Sequence, residues 1–380
     1  MRLAIINHVW SPQAQTPDAT LDRFATLTGW AEAVKSAGIE TVGVFQRFHQ
    51  TAQRLDGIVP YHFYADDGPP RPPTWFRGAI TLHRAVVTFR PDVVHVNSLE
   101  YPLLTRRLAR LLPASTALVV QDHGGFDPAR LSRMRKGWMR FGVAGVDALL
   151  VATAAQVDHF RRSGLVPSSV AVWDVMEGST TVGPIVRRHR EAPPSLLWVG
   201  RLNANKDPLT VLAGFDAFLD RSPGATLTMI YAENDLEPQV RAYIGERERL
   251  RSAVRLVGSV RHADLEAFYA DADFFVLGSR YEGSGYAVLE ALACGVVPVL
   301  TDIPSFRTLT AGGSVGDLWR VGDPSSLRDA LVRVASRPLP PQRDACRRLF
   351  DRELSWTAIG VRAVDIYKRA AASVKGASAG

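Results

Sequence analysis

The chain has 380 residues, 46% hydrophobic and 22% charged, which is enough apolar material for two packed domains and excludes wholesale disorder. No apolar run reaches the roughly 18 residues that a membrane-spanning helix needs. The net charge of +7 and pI near 9.6 suit anionic partners such as nucleotides or phospholipid surfaces, and no nucleic-acid-binding motif accompanies them. Leu3 to Asn7 reads as a first strand, and the start of the chain lacks the apolar length and cleavage site of a signal peptide. The spacing then predicts a helix over 22–37, stopped by Gly38, and a strand over 40–45. This β-loop-α-β order predicts a parallel sheet. Residues 66–74, rich in Pro and charge, read as a loop, followed by a helix over 76–89 and strands within 92–97 and 117–121.

The second of these strands ends in Asp122-His123-Gly124-Gly125. Polar residues at the carboxyl end of a parallel strand face a ligand crevice. Over 130–141, Leu131, Met134, Trp138 and Phe141 would share one helix face, with Arg133, Lys136 and Arg140 opposite. Such a helix fits a membrane surface, and it fits equally a core position with a solvated basic face. Strands at 148–152 and 170–175 close a first domain. The charged, Pro-containing stretch 187–194 reads as a linker. A second domain opens with the strand Ser195–Val199, which runs into Gly200-Arg201-Leu202-Asn203-Ala204-Asn205-Lys206 and a helix through Leu219. An Arg and a Lys five apart, just past a strand end, can converge on one diphosphate, the Arg as a fork and the Lys as a point charge. Strands at 226–231 and 255–260, a helix over 263–270 and an apolar strand at 274–277 lead to the most informative stretch.

That stretch is Ser279 to Pro298. It runs from strand to a loop holding Gly283 and Gly285, then to a helix from Tyr286 that Gly295 ends. The glycines permit close approach of a ligand, and the helix N-terminus suits a phosphate. Glu282 in the loop and Glu290 in the helix are placed to accept hydrogen bonds from sugar hydroxyls on either side of that phosphate. The string Glu282-Gly283-Ser284-Gly285, then Glu290-Ala291-Leu292-Ala293-Cys294-Gly295, then Pro298-Val299 resembles the E-x7-E signature of retaining glycosyltransferases of the GT-B fold, family 4 in particular. Ser284 stands where that family usually has Phe. Gly200-Arg201 with Lys206 is similar to the family's Gly-Arg-x4-Lys. The family's first-loop Gly-Gly is replaced here by Gln13 to Pro17, and its Pro-Asn-Gly-Val-Asp by Met176-Glu177-Gly178-Ser179-Thr180.

The resemblance implies an α/β GT-B architecture. Its parts would be a Rossmann-like domain over 1–186, a linker over 187–194, a facing nucleotide-sugar domain over 195–354, and a crossover helix and tail over 355–380, the helix spanning 355–372 and returning to the first domain through Trp356 and Tyr367, the tail from Ser373 frayed. It implies sugar transfer from a nucleotide diphosphate-sugar to an acceptor hydroxyl with retention. Arg201 and Lys206 would hold the leaving diphosphate with the backbone of Gly283, Ser284 and Gly285. Glu290 would take the ribose, Glu282 the donor sugar, His123 the sugar from the other domain, and Val260 the base. The acceptor is left open among a sugar, a lipid-linked sugar and a small molecule. So is peripheral contact with an anionic membrane. The metal site is expected to be none, since the carboxylates are assigned to ribose and sugar and the only adjacent aspartates, Asp66-Asp67, lie in a Pro-rich loop. Cys294 and Cys346 lack metal spacing and are expected to be free thiols of a cytoplasmic enzyme. A sugar-nucleotide epimerase or phosphorylase of the same fold, and a non-catalytic glycan-binding homologue, remain alternatives. The lack of G-x-G-x-x-G after the first strand argues against a nicotinamide dehydrogenase.

Overall fold

A computed structural model describes residues 1–65, 78–124, 131–180, 193–232 and 234–378. The chain divides into two units, Met1–Gly178 with Trp356–Gly380, and Ser179–Ser355. Residues 187–192 of the expected linker, the Asp66-Asp67 pair, Gly125 and Arg130 lie outside the described residues.

The first unit is built on a sheet of eight strands: β1 (Arg2–Asn7), β2 (Thr41–Phe48), β3 (Ala52–Asp56), β4 (Val59–Ala65), β5 (Val93–Val96), β6 (Ala117–Gln121), β7 (Ala148–Val151) and β8 (Ala171–Asp174). Their order is β3-β4-β2-β1-β5-β6-β7-β8, with only β3 antiparallel to its neighbour. β5, β6 and β7 are buried at every position, as strands covered on both faces must be. The helix expected over 22–37 is instead two, α1 (Pro17–Arg23) and α2 (Ala25–Ser36). Thr16 caps α1 by accepting a bond from the Ala19 N–H, and Pro17 is preset for the first turn, so the helix starts early. Phe24 then leaves helical geometry at φ −109° and ψ 39°. The remaining helices are α3 (Ile80–Phe89), α4 (Pro102–Leu111), α5 (Arg133–Val143) and α6 (Ala154–Arg162).

A long helix at the far end of the chain completes this unit. Trp356 opens it, and its indole lies against Gly29 and Gly178; a Cβ at Gly29 would sit 2.3 Å from the ring. Tyr367, fully buried, accepts the Trp30 Nε1–H at 2.8 Å and donates to His95 Nδ1 at 2.5 Å. Burial, with some help from the charge of His123, pushes His95 down to about 3, so its ring is neutral and Nδ1 is an acceptor.

The second unit has six parallel strands: β9 (Ser195–Gly200), β10 (Thr226–Tyr231), β11 (Val254–Gly258), β12 (Phe274–Leu277), β13 (Val297–Thr301) and β14 (Asp317–Trp319), in the order β11-β10-β9-β12-β13-β14. This is the doubly wound order, with its switch point between β9 and β12. The helices that bear on the site are α7 (Pro208–Phe218), α8 (Glu237–Gly245), α9 (Glu248–Ala253), α10 (Leu265–Asp271) and α11 (Tyr286–Ala293). They are followed by α12 (Pro304–Leu309), α13 (Pro324–Ala335) and α14 (Leu339–Leu349); the returning helix of the first unit is α15 (Trp356–Ser378). No described helix is long and apolar enough to cross a membrane.

Candidate active site

In a doubly wound sheet the ligand crevice lies beyond the carboxyl ends of the strands at the switch point. In the second unit those ends are Gly200, leading to Arg201, and Leu277, leading to Gly278. Asn205 ties the two loops together: its side-chain amide donates to the Tyr281 carbonyl at 2.9 Å, its side-chain oxygen accepts the Tyr281 N–H at 3.1 Å, and its own carbonyl accepts the Arg280 N–H at 2.8 Å. Gly278 makes the approach possible, since a Cβ there would lie 3.0 Å from the Lys206 carbonyl.

The result is that Lys206 Nζ pairs directly with Glu282 Oε1, and Ser279 donates its hydroxyl to that same oxygen at 2.8 Å. Ser279 is itself fixed, its carbonyl accepting the Thr301 hydroxyl at 2.5 Å. The helix α11 begins immediately beyond, with Gly285 in the left-handed conformation (φ 63°) and Ser284 buried. At Gly285 a Cβ would meet Leu309 at 2.9 Å, so both conformation and space demand glycine. Gly283 lies in the same turn and is half-buried, and Arg201 stands exposed on the β9–α7 loop. The structure thus brings Lys206, Glu282 and the α11 start into one crevice.

Glu290 turns to other partners. Its Oε2 accepts the Tyr269 hydroxyl at 2.9 Å, and its Oε1 lies 2.6 Å from His262 Nε2. Tyr269 is fully buried, and that burial, followed by the charge of Glu290 beside it, holds its phenol well above the usual range, so it stays a donor. His262 is largely exposed, so the ring that meets the Glu290 carboxylate faces solvent. Val260 was expected at the end of a strand over 255–260. The strand instead ends at Gly258, whose φ of 81° accompanies a register shift against β10, and Val260 lies in the loop beyond.

The first unit places His123 at the carboxyl end of β6. His123 Nδ1 pairs with Glu177, and Nε2 lies 2.8 Å from the Asn97 carbonyl. Both partners are acceptors, so the ring is held as imidazolium with both N–H groups donating. Burial opposes that charge, but the charge of Glu177 and its hydrogen bond, the Asn97 carbonyl and Asp122 outweigh it and push His123 up to about 9. Burial is also the main reason that Asp122 is raised to about 6, with the Gly124 N–H, bonded at 3.0 Å, pulling the other way.

The apolar face expected over 130–141 is divided, since Leu131, just before α5, packs on the core. Met134, Trp138 and Phe141 are 72%, 40% and 47% exposed, and the helix buries Gly142 and Val143 instead, with Met139 packed on the core. Sequence reasoning missed Asn205, Ser279, His262 and Tyr269. It quoted Glu177 within a departure from the family pattern without giving it a role. Only Glu177 carried a signal, as a carboxylate where the resembled family has Asn.

Known proteins similar to this chain are glycosyltransferases. The family described as "Glycosyl transferases group 1" matches residues 193–337, and the "Glycosyl transferase 4-like domain" matches 25–173. The GDP-mannose:cellobiosyl-diphosphopolyprenol alpha-mannosyltransferase of Xanthomonas campestris is 30% identical over 288 residues, covering 73% of this chain and 74% of its own. The glycogen synthase of Mycobacterium tuberculosis is 26% identical over 290 residues, 74% of this chain and 69% of its own. Among solved structures, the sucrose-phosphate synthase of Thermosynechococcus elongatus superposes with a TM-score of 0.74 at 17% identity, over 98% of this chain and all of the other. The Anabaena protein HepE in complex with UDP superposes at 0.71 and 14% identity, over 97% of this chain and 100% of the other. Matched in both halves by these family descriptions and by a relative across nearly three quarters of its length, the chain belongs to the group 1 glycosyltransferases, on the GT-B fold.

Proposed function

We propose that the chain is a retaining, metal-independent glycosyltransferase of the family 4 type, moving a sugar from a nucleotide diphosphate-sugar to an acceptor hydroxyl. The observation that carries this reading is the Lys206–Glu282 pair at the β9–β12 switch point, beside the start of α11. The names of relatives support the donor class: one uses GDP-mannose, and a structural neighbour was solved with UDP.

The chemistry follows from these groups. Lys206 neutralises Glu282. An arriving diphosphate takes over the ammonium, supported by Arg201 and the α11 dipole, and Glu282 is released to accept hydrogen bonds from the donor sugar. Glu290 exchanges the exposed His262 for the ribose hydroxyls while Tyr269 keeps its orientation. The bond from the anomeric carbon to the diphosphate oxygen breaks as that carbon gains cationic character, and the bond to the acceptor oxygen forms on the same face. The acceptor proton passes to the departing diphosphate oxygen, so the step needs no separate base. Lys206 and Arg201 stabilise charge where it develops, and the carboxylate of Glu282 favours the sugar cation. His123, with both N–H groups engaged by Glu177 and the Asn97 carbonyl, is not the base.

A thermal-shift screen of nucleotide sugars, followed by NMR of the product anomer, tests this. A true donor at 100 times its Kd should add about 2.7 kcal/mol to stability. Failure of every nucleotide diphosphate-sugar to raise the melting temperature, or a product of inverted configuration, would refute it.

A further inference from the structure

β3 lies at the open end of the first unit's sheet, and among the described residues no strand pairs with its outer edge. Gly57, at φ 54°, makes the tight turn into β4, with Asp56 opposite Val59, Leu55 opposite Pro60 and Arg54 opposite Tyr61. Pro60 has no N–H to exchange, so Leu55 and Pro60 form a pair without ladder hydrogen bonds. The alternation then turns the N–H and C=O groups of Gln53 and Leu55 outward, and those of Arg54 and Asp56 toward β4. Leu55 on this edge is 72% exposed, and Ile58 in the turn is 53% exposed. Such an edge is a template for another strand.

Its charges are also unmatched. Glu32, on α2, lies over the turn, where a Cβ at Gly57 would collide with its Oε1. Burial, and then the charge of Asp56, raise the Glu32 carboxyl above its usual range. Among the described residues neither Glu32 nor Asp56 has a cationic partner. Tyr61 beside them is 1% exposed, and its hydroxyl has no hydrogen-bond partner. Burial, then Asp56 and Glu32, push that phenol up, so it stays protonated. Arg54, two residues from Asp56 on the same face of the strand, is half-exposed and reaches the exposed Asp18 at 3.5 Å. The strand thus carries a weakly engaged cation and, beside it, carboxylates that lack one.

An antiparallel copy of the same strand meets both needs. The outward groups allow two-fold registers centred on Gln53, Arg54 or Leu55. Centred on Gln53, Arg54 would face Ala52; centred on Arg54, it would face its own like charge. Centred on Leu55, the two Leu55 side chains cover each other, and each Arg54 stands opposite Asp56 of the second copy. That pair is of the kind whose Cα atoms lie about 4.5 Å apart, where opposite charges interact best. Glu32 over the adjoining turn adds a second carboxylate for the same Arg54. We propose that the chain forms a two-fold dimer through β3, its partner a second copy of this chain, with Arg54 of each copy paired to Asp56 of the other. Such an interface is isologous, and the shortness of β3 places it in the weak, concentration-dependent class. The proposal is independent of the glycosyltransferase reading.

The test is sedimentation velocity of the full chain. Between roughly 1 and 200 µM, the range in which weak interfaces exchange, the mass should rise from 41.6 kDa toward twice that value. Arg54→Asp and Asp56→Arg each set like charges face to face, so each should raise the dimer Kd by about tenfold or more. An equimolar mixture of the two variants has opposite charges at both positions, and it should dimerise more tightly than either variant alone. The doubly exchanged Arg54→Asp/Asp56→Arg chain should dimerise within about threefold of the unmodified chain. Both positions lie on an edge strand, and a retained cooperative melt shows that each variant is folded. A monomer at every concentration overturns the proposal. So does a dimer that both reversals leave unchanged, or a mixture that associates no more tightly than its components.

Discussion

Replacing Lys206 by Met removes the ammonium and keeps most of the stem that packs near Gly200. In the unmodified chain the side chains of Lys206 and Glu282 are only 12% and 14% exposed. Without the amine, Glu282 keeps the Ser279 hydroxyl as a donor and sits as a largely buried carboxylate with its counter-charge gone. Breaking a fully buried pair from one side costs about 3–5 kcal/mol; water can reach this one, so about 1–3 kcal/mol is expected. For a unit of this size that lowers the melting temperature by roughly 2–10 °C. The effect on turnover is separate. Losing one cation at the leaving group should remove about 2.7 kcal/mol of transition-state stabilisation, a fall in kcat/KM of about a hundredfold. The double substitution Lys206→Met/Glu282→Gln separates the two, because it removes both charges together. Melting should recover most of the loss while turnover stays down, as scanning calorimetry and a radiolabelled-donor assay would show. Near-normal turnover in Lys206→Met would remove this residue from the leaving-group site and the proposed mechanism with it.

Glu290→Gln should weaken nucleotide diphosphate binding by about tenfold in calorimetry, with the melting temperature little changed because Tyr269 can still donate to the amide oxygen; unchanged affinity would reduce Glu290 to a structural helix residue. Turnover should survive excess chelator and should not rise severalfold with magnesium or manganese, since Lys206, Arg201 and the α11 start supply positive charge; loss in chelator rescued by either ion would overturn that assignment. The His123–Glu177 pair predicts a pH effect of definite sign. A histidine raised from 6.5 to about 9 contributes stability that is complete below pH 6.5 and is lost as pH rises through about 9. Melting temperature should therefore decline from pH 6.5 to 9.5, and Glu177→Gln should flatten that decline; equal slopes in both proteins would mean that Glu177 does not hold the proton on His123.

The parts of the fold that were readable in the sequence are those in which local pattern and burial agree. Val-Val-His-Val, Ala117 to Gln121 and Phe274 to Leu277 are short apolar runs, and each is a strand buried at every position. Gly285 and Gly295 mark the ends of α11 because only glycine adopts their positive φ cheaply. The hairpin of β3 and β4 was not read. Its polar edge strand is exposed and weakly patterned, although Asp56-Gly57 at its end is a turn signal. The break at Phe24 was hidden because residues on both sides favour helix. At the site, residue types and spacing pointed to Lys206, Glu282 and Glu290, but not to their partners. Asn205 and Tyr281 meet across 76 residues of sequence, as do Lys206 and Glu282, and His262 reaches Glu290 across 28. Contacts made by folding one loop onto another leave no local periodicity to detect. The α5 face was read in part: Met134, Trp138 and Phe141 lie exposed on the helix, but Leu131, grouped with them, precedes it and packs on the core.

The seating of Trp356 and Tyr367 in the first unit has a consequence for biosynthesis. Residues 1–178 leave the ribosome first, yet the helix that fills the space over Gly29 and bonds Trp30 is encoded after the whole second unit. At 5–20 residues per second, the early half waits roughly 10–40 s for its last element. During that interval the unit that was started second can finish first, and the nascent first unit exposes Trp30 and the apolar groove that α15 later covers. That interval is where chaperone demand should concentrate. A pause in translation within residues 179–355 would lengthen it.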